Sequence, residues 1–313
     1  MTRAGGDPIK RVAVLHGGIS AEREVSLASG AQVIAALREL GFDVLPVEVG
    51  ADLRAMIDAL TPAPDLVFNA LHGRFGEDGT VQGMLDWLGI PYTHSGVRAS
   101  ALAMDKVAAK AVFAAAGLPV AAGSVVEMAA LQAADPLPLP YVVKPPNEGS
   151  SVGVEILRSG GNTRAELARG WRFGRTALVE EYVPGRELTV AVLGDRPLVV
   201  TEITAAHGFY DYEAKYSEGG SRHLLPARIH PDAAARALEI ALAAHRLLGC
   251  RGASRADFRY DDTRGEPGRL VLLEVNTQPG LTRTSLLPEQ AAHVGITFPA
   301  LCVWMVEQAA CRA

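Results

Sequence analysis

The 313-residue sequence lacks the features of secreted, membrane and nucleic-acid-binding proteins. Its three cysteines, Cys250, Cys302 and Cys311, form no C-x-x-C pair and leave an odd count, which favours a reducing compartment. No run of about 18 apolar residues occurs, and the first residues lack the apolar core of a signal peptide. The net charge is −5 and no Lys/Arg-rich segment offers a surface for nucleic acid or anionic lipid. We therefore expect a cytoplasmic protein that acts on small molecules.

Two common nucleotide-binding signatures are also absent. The Walker A spacing G-x-x-x-x-G-K-[ST] does not occur. Gly17 and Gly18 match only a fragment of the G-x-G-x-x-G fingerprint, and an ordinary strand-to-helix turn explains them equally well. The length suffices for two or three packed domains, which we place at 1–100, 101–190 and 191–313.

The N-terminal third alternates short apolar strands with helical segments. We predict strands at 12–15, 44–49, 66–71 and 90–93, and a helix from 24 to 40 that stops at Gly41. Such alternation indicates a parallel sheet covered by helices. An Ala-rich helix is predicted from 100 to 116.

The rest of the chain predicts a different kind of sheet. Strands are expected at 118–126, 141–144, 177–182, 187–193 and 198–203, and their mixed patterns suit an antiparallel or mixed sheet. A polar loop at 204–220, a helix at 231–248 and two further strands follow. The predicted fold class is α/β with mixed α+β character, beginning with a Rossmann-like parallel-sheet domain.

The segment from Leu270 to Gly280 carries the strongest chemical signal, because it sets Glu274 and Asn276 into an otherwise apolar strand. Alternate strand residues share a face, so both side chains project together. Burying them is costly unless a hard cation satisfies their oxygens, and Asp257 supplies a third ligand. A solvated edge strand is the alternative. We favour Mg²⁺.

Three other segments are suited to a nucleotide. Lys144 precedes a loop, 145–153, whose glycines and serines can wrap phosphates, although an ordinary hairpin loop would look the same. The Pro-Gly turn within 179–187 joins two strands whose ends could read a base, or it is a surface hairpin. The segment 209–216 places three tyrosines and Lys215 in a long loop, typical of a lid or of an aromatic anchor.

Five motifs in order resemble those of the D-alanine–D-alanine ligase family, and the resemblance spans almost the whole chain. They are His16-Gly-Gly-Ile-Ser-Ala-Glu-Arg-Glu-Val-Ser26, Leu71-His-Gly-Arg-Phe-Gly-Glu-Asp-Gly79, the loop after Lys144, the segment 209–216, and Glu274 to Gly280. The resemblance implies a three-domain ATP-grasp enzyme that works as a homodimer.

The resemblance also implies roles for individual residues. The catalytic residues would be Glu22, Ser150, Tyr216, Arg255 and Gly280. The substrate-binding residues would be His72, Ser285 and Leu286. The ATP-binding residues would be Lys106, Lys144, Ser151, Glu180, Glu181, Val183, Glu187, Phe209 and Lys215. Two Mg²⁺ ions, or Mn²⁺, would be held by Asp257, Glu274 and Asn276. Gln278 departs from the small residue usual in its motif and receives no role.

The implied reaction is ATP-dependent ligation of two D-alanines through an acyl phosphate, with release of ADP and phosphate, for peptidoglycan precursor synthesis. Tyr216 favours an amine as the second substrate. Two other readings stay open: an ATP-grasp ligase with another amino- or hydroxy-acid acceptor, and a nucleotide-binding regulatory module without turnover. The complete set of candidate catalytic groups argues against the module.

Overall fold

A computed structural model describes residues 9–149, 151–158, 162–205 and 220–311. Within these ranges the chain forms three sheets, one parallel and two antiparallel, with helices packed on them. The predicted α/β class with mixed character is confirmed. No helix in the described ranges has the length and apolar character that crossing a membrane requires.

The first sheet is the predicted parallel sheet. Its strands are β1 (Arg11–Gly17), β2 (Asp43–Val49) and β3 (Leu66–Asn69), in the order β2-β1-β3. Helices α1 (Arg23–Glu39), α2 (Leu53–Ala59) and α3 (Thr80–Leu88) connect or follow these strands. Strand β1 is almost entirely buried, as a central parallel strand covered on both faces should be.

A strand predicted at 90–93 is wrong. Tyr92 makes only an isolated bridge to Val67 and another to Ala310, so this segment does not extend the sheet. Apolar character was the only signal for the strand, and the segment is apolar because it is buried beside β3: Ile90 and Tyr92 belong to the same core cluster as Val67.

The helical segment predicted over 100–116 is confirmed in its helical character but is interrupted at Asp105. Two helices occur there, α4 (Val97–Met104) and α5 (Lys106–Ala115). Asp105 lies between them with extended backbone angles, and its side chain accepts hydrogen bonds from the amides of Val107 and Ala108. This N-cap starts a new helix, so α5 takes its own direction toward the cleft described below.

The second sheet has four strands, β4 (Gly123–Glu127), β5 (Tyr141–Lys144), β6 (Glu155–Leu157) and β7 (Thr176–Glu181), in the order β4-β7-β5-β6. All its pairings are antiparallel. Helices α6 (Met128–Ala133) and α7 (Asn162–Gly170) accompany it. Strand β4 begins later than the predicted residue 118; before it, Val120 makes an isolated bridge to Leu272 of the third sheet.

The third sheet has five antiparallel strands in the order β10-β9-β8-β11-β12. They are β8 (Arg186–Leu193), β9 (Arg196–Ala205), β10 (Ser221–Leu224), β11 (Ala253–Asp261) and β12 (Arg269–Asn276). Helix α8 (Pro231–Leu248) packs on the sheet and ends at Gly249, whose φ is 73°. Helices α9 (Leu286–His293) and α10 (Phe298–Glu307) follow, and α10 returns to pack on α1.

Candidate active site

Strands β11 and β12 bring four polar side chains to one face of the third sheet. Asp257 lies directly opposite Glu274, and Arg255 lies opposite Asn276. Side chains of directly opposed residues in an antiparallel pair lie on the same side of the sheet, as do residues two apart on one strand. The spacing in the sequence therefore produces a cluster of two carboxylates, one amide and one guanidinium.

Cations neutralise both carboxylates. Arg255 grips Asp257 with two contacts, Nε to Oδ1 at 2.8 Å and Nη2 to Oδ2 at 2.7 Å. The hydroxyl of Thr189 also donates to Asp257 Oδ1, at 2.6 Å. Lys106, the first residue of α5, places its Nζ 3.0 Å from Glu274 Oε2. These ion pairs hold both carboxylates in place at the wall of a cleft.

The donor set is chemically suited to magnesium. Among the described residues no three His, Cys, Asp or Glu side chains converge into a metal-binding group. Asp257, Glu274 and Asn276 supply two carboxylates and an amide oxygen, and Asn276 Oδ1 is oriented by the amide of Gln278 at 2.8 Å. Magnesium is usually held by one or two carboxylates together with substrate phosphates and water, so an incomplete protein cage fits this ion.

An open cleft of about 1000 Å³ lies between the second and third sheets. It contains seven of the nine residues predicted to bind ATP together with two of the three predicted metal ligands. These residues are Lys106, Lys144, Ser151, Glu180, Glu181, Val183, Glu187, Asp257 and Glu274. Ala121, Val142, Ile156 and Leu273 add apolar wall. A cleft lined by both apolar side chains and lysines suits a base and a polyphosphate.

Two acidic residues that line the cleft, Glu180 and Glu181, are held by basic partners. Glu180 is 4% exposed and is paired with two lysines. Glu181 accepts from the amide of Ala122 at 3.0 Å and from Arg269 at 2.5 Å. These side chains are oriented by the surrounding strands, which leaves little freedom to lose when a ligand binds.

The first and second motifs lie together, with the hydroxyl of Ser20 donating to the His72 carbonyl at 2.8 Å. Glu22 and His72 are 7% and 5% exposed, so neither is a solvated loop residue. Gly73, with φ 68°, lies against Glu22: an added Cβ there would be 2.8 Å from Glu22 Oε2. An added Cβ at Gly149 would be 3.3 Å from the same oxygen. The loop after Lys144 therefore contacts the N-terminal unit at Glu22.

The surroundings of His72 disfavour its charged form. Burial lowers the pKa of His72, an effect that the Glu22 carboxylate opposes without reversing. Its Nε2 lies 3.2 Å from the hydroxyl of Ser29. A fixed, neutral imidazole can donate one hydrogen bond to a carboxylate without forming a tight ion pair.

Glu77 belongs to this site but was missed from the sequence. It is 8% exposed and lines a small cavity together with Gly149, Glu274 and Asn276. Burial, followed by the nearby Glu22, raises the pKa of Glu77 to about 8. The position of Glu77 within the motif from Leu71 to Gly79 was the available signal, but nothing in the sequence showed that Glu77 is buried beside a second acid.

Gln278 also proves to have a structural role that the sequence did not indicate. It is 1% exposed, and its side-chain amide bridges the N-terminal unit: Oε1 accepts from Asn69 Nδ2 at 2.9 Å, and Nε2 donates to the carbonyl of Leu71. Asn69 in turn bonds the carbonyl of Gly76 at 2.9 Å. These hydrogen bonds therefore join the segment that follows β12, the strand of Glu274, to the segment that carries His72.

The turn after β12 brings the last predicted residues together. An added Cβ at Gly280 would lie 2.8 Å from Ser285 Oγ, and this hydroxyl accepts from the amide of Thr282 at 3.0 Å. Leu286 is the first residue of α9. The first amides of a helix have no partner within the helix, so Leu286 is placed where an anionic group can be bound.

Four predicted site residues lie outside the described residues. They are Ser150, Phe209, Lys215 and Tyr216.

Comparison with known proteins places this site in a family. Residues 52–95 match the family model described as D-ala D-ala ligase N-terminus, and residues 112–307 match D-ala D-ala ligase C-terminus. The chain is 72% identical to the D-alanine–D-alanine ligase of Granulibacter bethesdensis, covering 97% of this chain and 99% of that protein. It is also 72% identical to the enzyme of the same name from Acidiphilium cryptum, over 97% and 100% of the two chains. The structure resembles the crystal structure of the Bacillus anthracis D-alanine–D-alanine ligase complexed with ATP, with a TM-score of 0.80 at 29% identity, covering 96% and 97% of the chains.

Proposed function

The chain belongs to the D-alanine–D-alanine ligase family, and on that premise we propose that it joins two D-alanines into D-alanyl-D-alanine while converting ATP to ADP and phosphate. One arrangement supports this most directly. On one face of the third sheet, Asp257 and Glu274 line the large cleft, and Glu274 and Asn276 line the small cavity beside Glu77. Arg255, on the same face, lies close enough for its charge to act on His72. The product is a precursor for peptidoglycan.

In the first step a carboxylate oxygen of one D-alanine attacks the γ-phosphorus, the bond to ADP breaks, and an acyl phosphate forms. Glu22 binds the ammonium of this D-alanine, and His72 donates to its carboxylate. Lys106 and Lys144 bind the phosphates from two sides of the cleft. Catalysis then depends mainly on positioning and on charge neutralisation, as phosphoryl transfer requires.

In the second step the amine of another D-alanine attacks the acyl carbon. The tetrahedral intermediate collapses by expelling phosphate, and the new amide nitrogen loses its proton. Arg255 and the Gly280 amide stabilise the oxyanion, while Ser285 and the Leu286 amide hold the second carboxylate at the start of α9. Ser150, Phe209, Lys215 and Tyr216 are proposed to complete the site, on the basis of the family motifs.

Magnesium is part of this proposal. Asp257, Glu274 and Asn276 would hold two Mg²⁺ ions, which offset charge on the phosphoryl oxygens during transfer. Lys106 and Arg255 form ion pairs with two of the same carboxylates, Glu274 and Asp257. These ion pairs keep the proposed ligand oxygens at the cleft wall.

Three further proposals concern the protein as a whole. A division into three domains, proposed at 1–100, 101–190 and 191–313, is supported by the three separate sheets, but α4 (Val97–Met104) and β8 (Arg186–Leu193) cross its two boundaries. A homodimer is supported by apolar side chains exposed on the N-terminal unit, above all Trp87, which is 92% exposed on α3, and Leu53, 56% exposed on α2. A cytoplasmic location is supported by the use of ATP.

Enzymatic turnover tests the function. Purified protein with ATP, Mg²⁺ and D-alanine should release ADP and form the dipeptide in equal amounts. Replacing D-alanine by L-alanine should abolish both, and D-serine and D-lactate should be poor acceptors. Glu274→Gln should remove turnover while the protein still unfolds cooperatively. ADP release that does not depend on any amino acid would refute the ligase.

A further inference from the structure

Lysine is rare in this protein, and its distribution is uneven. Only five of the 30 basic residues are lysines: Lys10, Lys106, Lys110, Lys144 and Lys215. All the remaining basic residues are arginines. Lysine differs from arginine in offering a compact ammonium that can move between partners and adapt to burial. A lysine without an assigned role is therefore informative here, and Lys110 is such a residue.

Lys110 lies on α5 one turn after Lys106, so both project from the same side of the helix. Its Nζ contacts Glu180 Oε1. The second oxygen, Glu180 Oε2, lies 2.5 Å from Lys144 Nζ. The three side chains are 16%, 6% and 9% exposed for Lys110, Glu180 and Lys144 respectively.

One buried carboxylate therefore serves two ammonium groups. Burial alone would raise the pKa of Glu180, but Lys144 and Lys110 together outweigh it and hold that pKa below its ordinary value. Burial lowers the pKa of Lys110, although Glu180 opposes this shift. The cluster carries a surplus positive charge, and of its two lysines only Lys144 lines the cleft.

When a nucleotide enters the cleft, its phosphates and Glu180 compete for the ammonium group of Lys144. Its ammonium must turn toward phosphate oxygens, and its pairing with Glu180 is then weakened or broken. A buried carboxylate left without any cation would be strongly destabilised and would take up a proton or move. Lys110 prevents this destabilisation, because Glu180 stays paired with Lys110 after Lys144 has turned away.

We propose that Lys110 is a positioning residue of the nucleotide site: it keeps the Glu180 carboxylate charged and in place, so that Lys144 can bind phosphate and Glu180 can accept a hydrogen bond from an amino group of the base. The proposal rests on the proposed function in taking the cleft as an ATP site. The proposal extends that function, because it assigns the selection of the base to Lys110, a residue that does not itself contact the ligand.

The chemistry of the base provides the test. The 6-amino group of adenine donates to a carboxylate, whereas inosine triphosphate presents a carbonyl oxygen at the same position and repels a charged acceptor. A Glu180 side chain that is neutral or displaced discriminates poorly between the two. A merely structural ion pair between α5 and β7 would contribute to stability without influencing this preference.

The variants are Lys110→Met, which keeps the stem without the charge, and Lys110→Arg, which keeps the charge. The matched control is Arg164→Met, because Arg164 forms a partly buried ion pair with Asp135 in the same unit, at 2.9 Å, and neither residue lines the cleft. The measurements are calorimetric binding of a non-hydrolysable ATP analogue and initial rates with ATP and with inosine triphosphate at saturating D-alanine.

Lys110→Met should weaken analogue binding and raise KM for ATP by about tenfold, which corresponds to about 1.4 kcal/mol. Its preference for ATP over inosine triphosphate should fall, while KM for D-alanine stays unchanged. Lys110→Arg should recover the preference at least in part. Arg164→Met should lower the melting temperature and leave the nucleotide measurements at wild-type values.

Three results would overturn the proposal: wild-type binding and selectivity in Lys110→Met, an equal loss in Arg164→Met, or equal impairment of Lys110→Arg and Lys110→Met. If Lys110→Met does not fold, Lys110→Gln carries the same expectations. Analogue binding requires no turnover, so it reports on Lys110 even if D-alanine proves not to be the substrate.

Discussion

Replacing Gln278 by methionine tests whether the N-terminal unit and the metal-ligand strand must be held together for the D-alanine site to form. Methionine has a similar length but no hydrogen-bonding groups, so the variant removes the bonds to Asn69 and to the Leu71 carbonyl. The backbone bond from the residue 278 amide to Asn276 is unaffected by the change.

The expected cost follows from the burial of the partners. Asn69 is fully buried and Leu71 is 3% exposed, so the freed carbonyl and amide N–H cannot be hydrated without a local opening. Each buried polar group left without a partner costs about 1 to 3 kcal/mol. Two such groups predict a loss of about 2 to 6 kcal/mol of stability, with some of it recovered if water enters.

Activity should change selectively. The segment 71–73 carries His72, and the Asn69 amide also holds the carbonyl of Gly76. Loosening this segment should raise KM for D-alanine by about tenfold, since about 1.4 kcal/mol of lost binding corresponds to that factor. KM for ATP should stay close to wild type, because the ion pairs of Lys106 with Glu274 and of Lys144 with Glu180 do not involve the groups that lose a partner.

The assay combines thermal unfolding with initial-rate measurements in both substrates. Ser254→Ala is the control: it removes a buried hydrogen bond to His245, 2.7 Å long, on the opposite face of β11 from Arg255. This variant should be less stable with normal kinetics. The reasoning is refuted if Gln278→Met keeps wild-type KM for D-alanine, or if KM for ATP rises by the same factor.

Three other predictions concern charge, metal and assembly. Burial and the nearby Glu22 raise the pKa of Glu77 from 4.5 to about 8, so between these pH values the folded state binds a proton that the unfolded state has released. Wild type should therefore lose stability relative to Glu77→Gln as the pH rises through this window. The prediction is contradicted if the melting temperatures of the two proteins differ by the same amount at pH 5 and pH 9. Asp257→Asn should raise the Mg²⁺ concentration for half-maximal ADP release about tenfold or more, and an unchanged magnesium titration would remove Asp257 from the ligand set. Trp87→Glu should convert the dimer to a monomer in light scattering, and a wild-type protein that is already monomeric would refute the assembly.

Local patterns in the sequence were sufficient for much of the secondary structure. The helix at 231–248 matches its prediction, because Pro231 at its start and Gly249 after its end mark both boundaries. The parallel N-terminal sheet followed from strands and helices in alternation. The strand ending at Asn276 followed from its apolar run.

The secondary-structure predictions were wrong where the surroundings of a segment in the folded protein, and not its hydrophobic pattern, determined its conformation. The apolar residues before Tyr92 suggested a strand, but they are buried beside β3 without pairing into a ladder. The Ala-rich pattern across residue 105 suggested one helix, because alanine favours helix at every position and concealed the capping role of Asp105.

The pairing of Asp257 with Glu274 shows where the sequence reaches its limit. Alternation placed Glu274 and Asn276 on one face, but the register that sets Asp257 opposite Glu274 depends on hydrogen bonds between two strands and on a bulge after Asp257. A register shifted by one residue would turn a whole strand over. Only the packing of the sheet selects one register.

By itself, then, the sequence determined the order of strands and helices, the side-chain types available at each motif, and the family to which those motifs belong. The folded structure decided which side chains meet: Gln278 with Asn69, Glu77 with Glu22, and Lys110 with Glu180. The physical reason is that periodicity and capping act within a few residues, whereas burial, charge compensation and pKa arise between groups far apart in the chain.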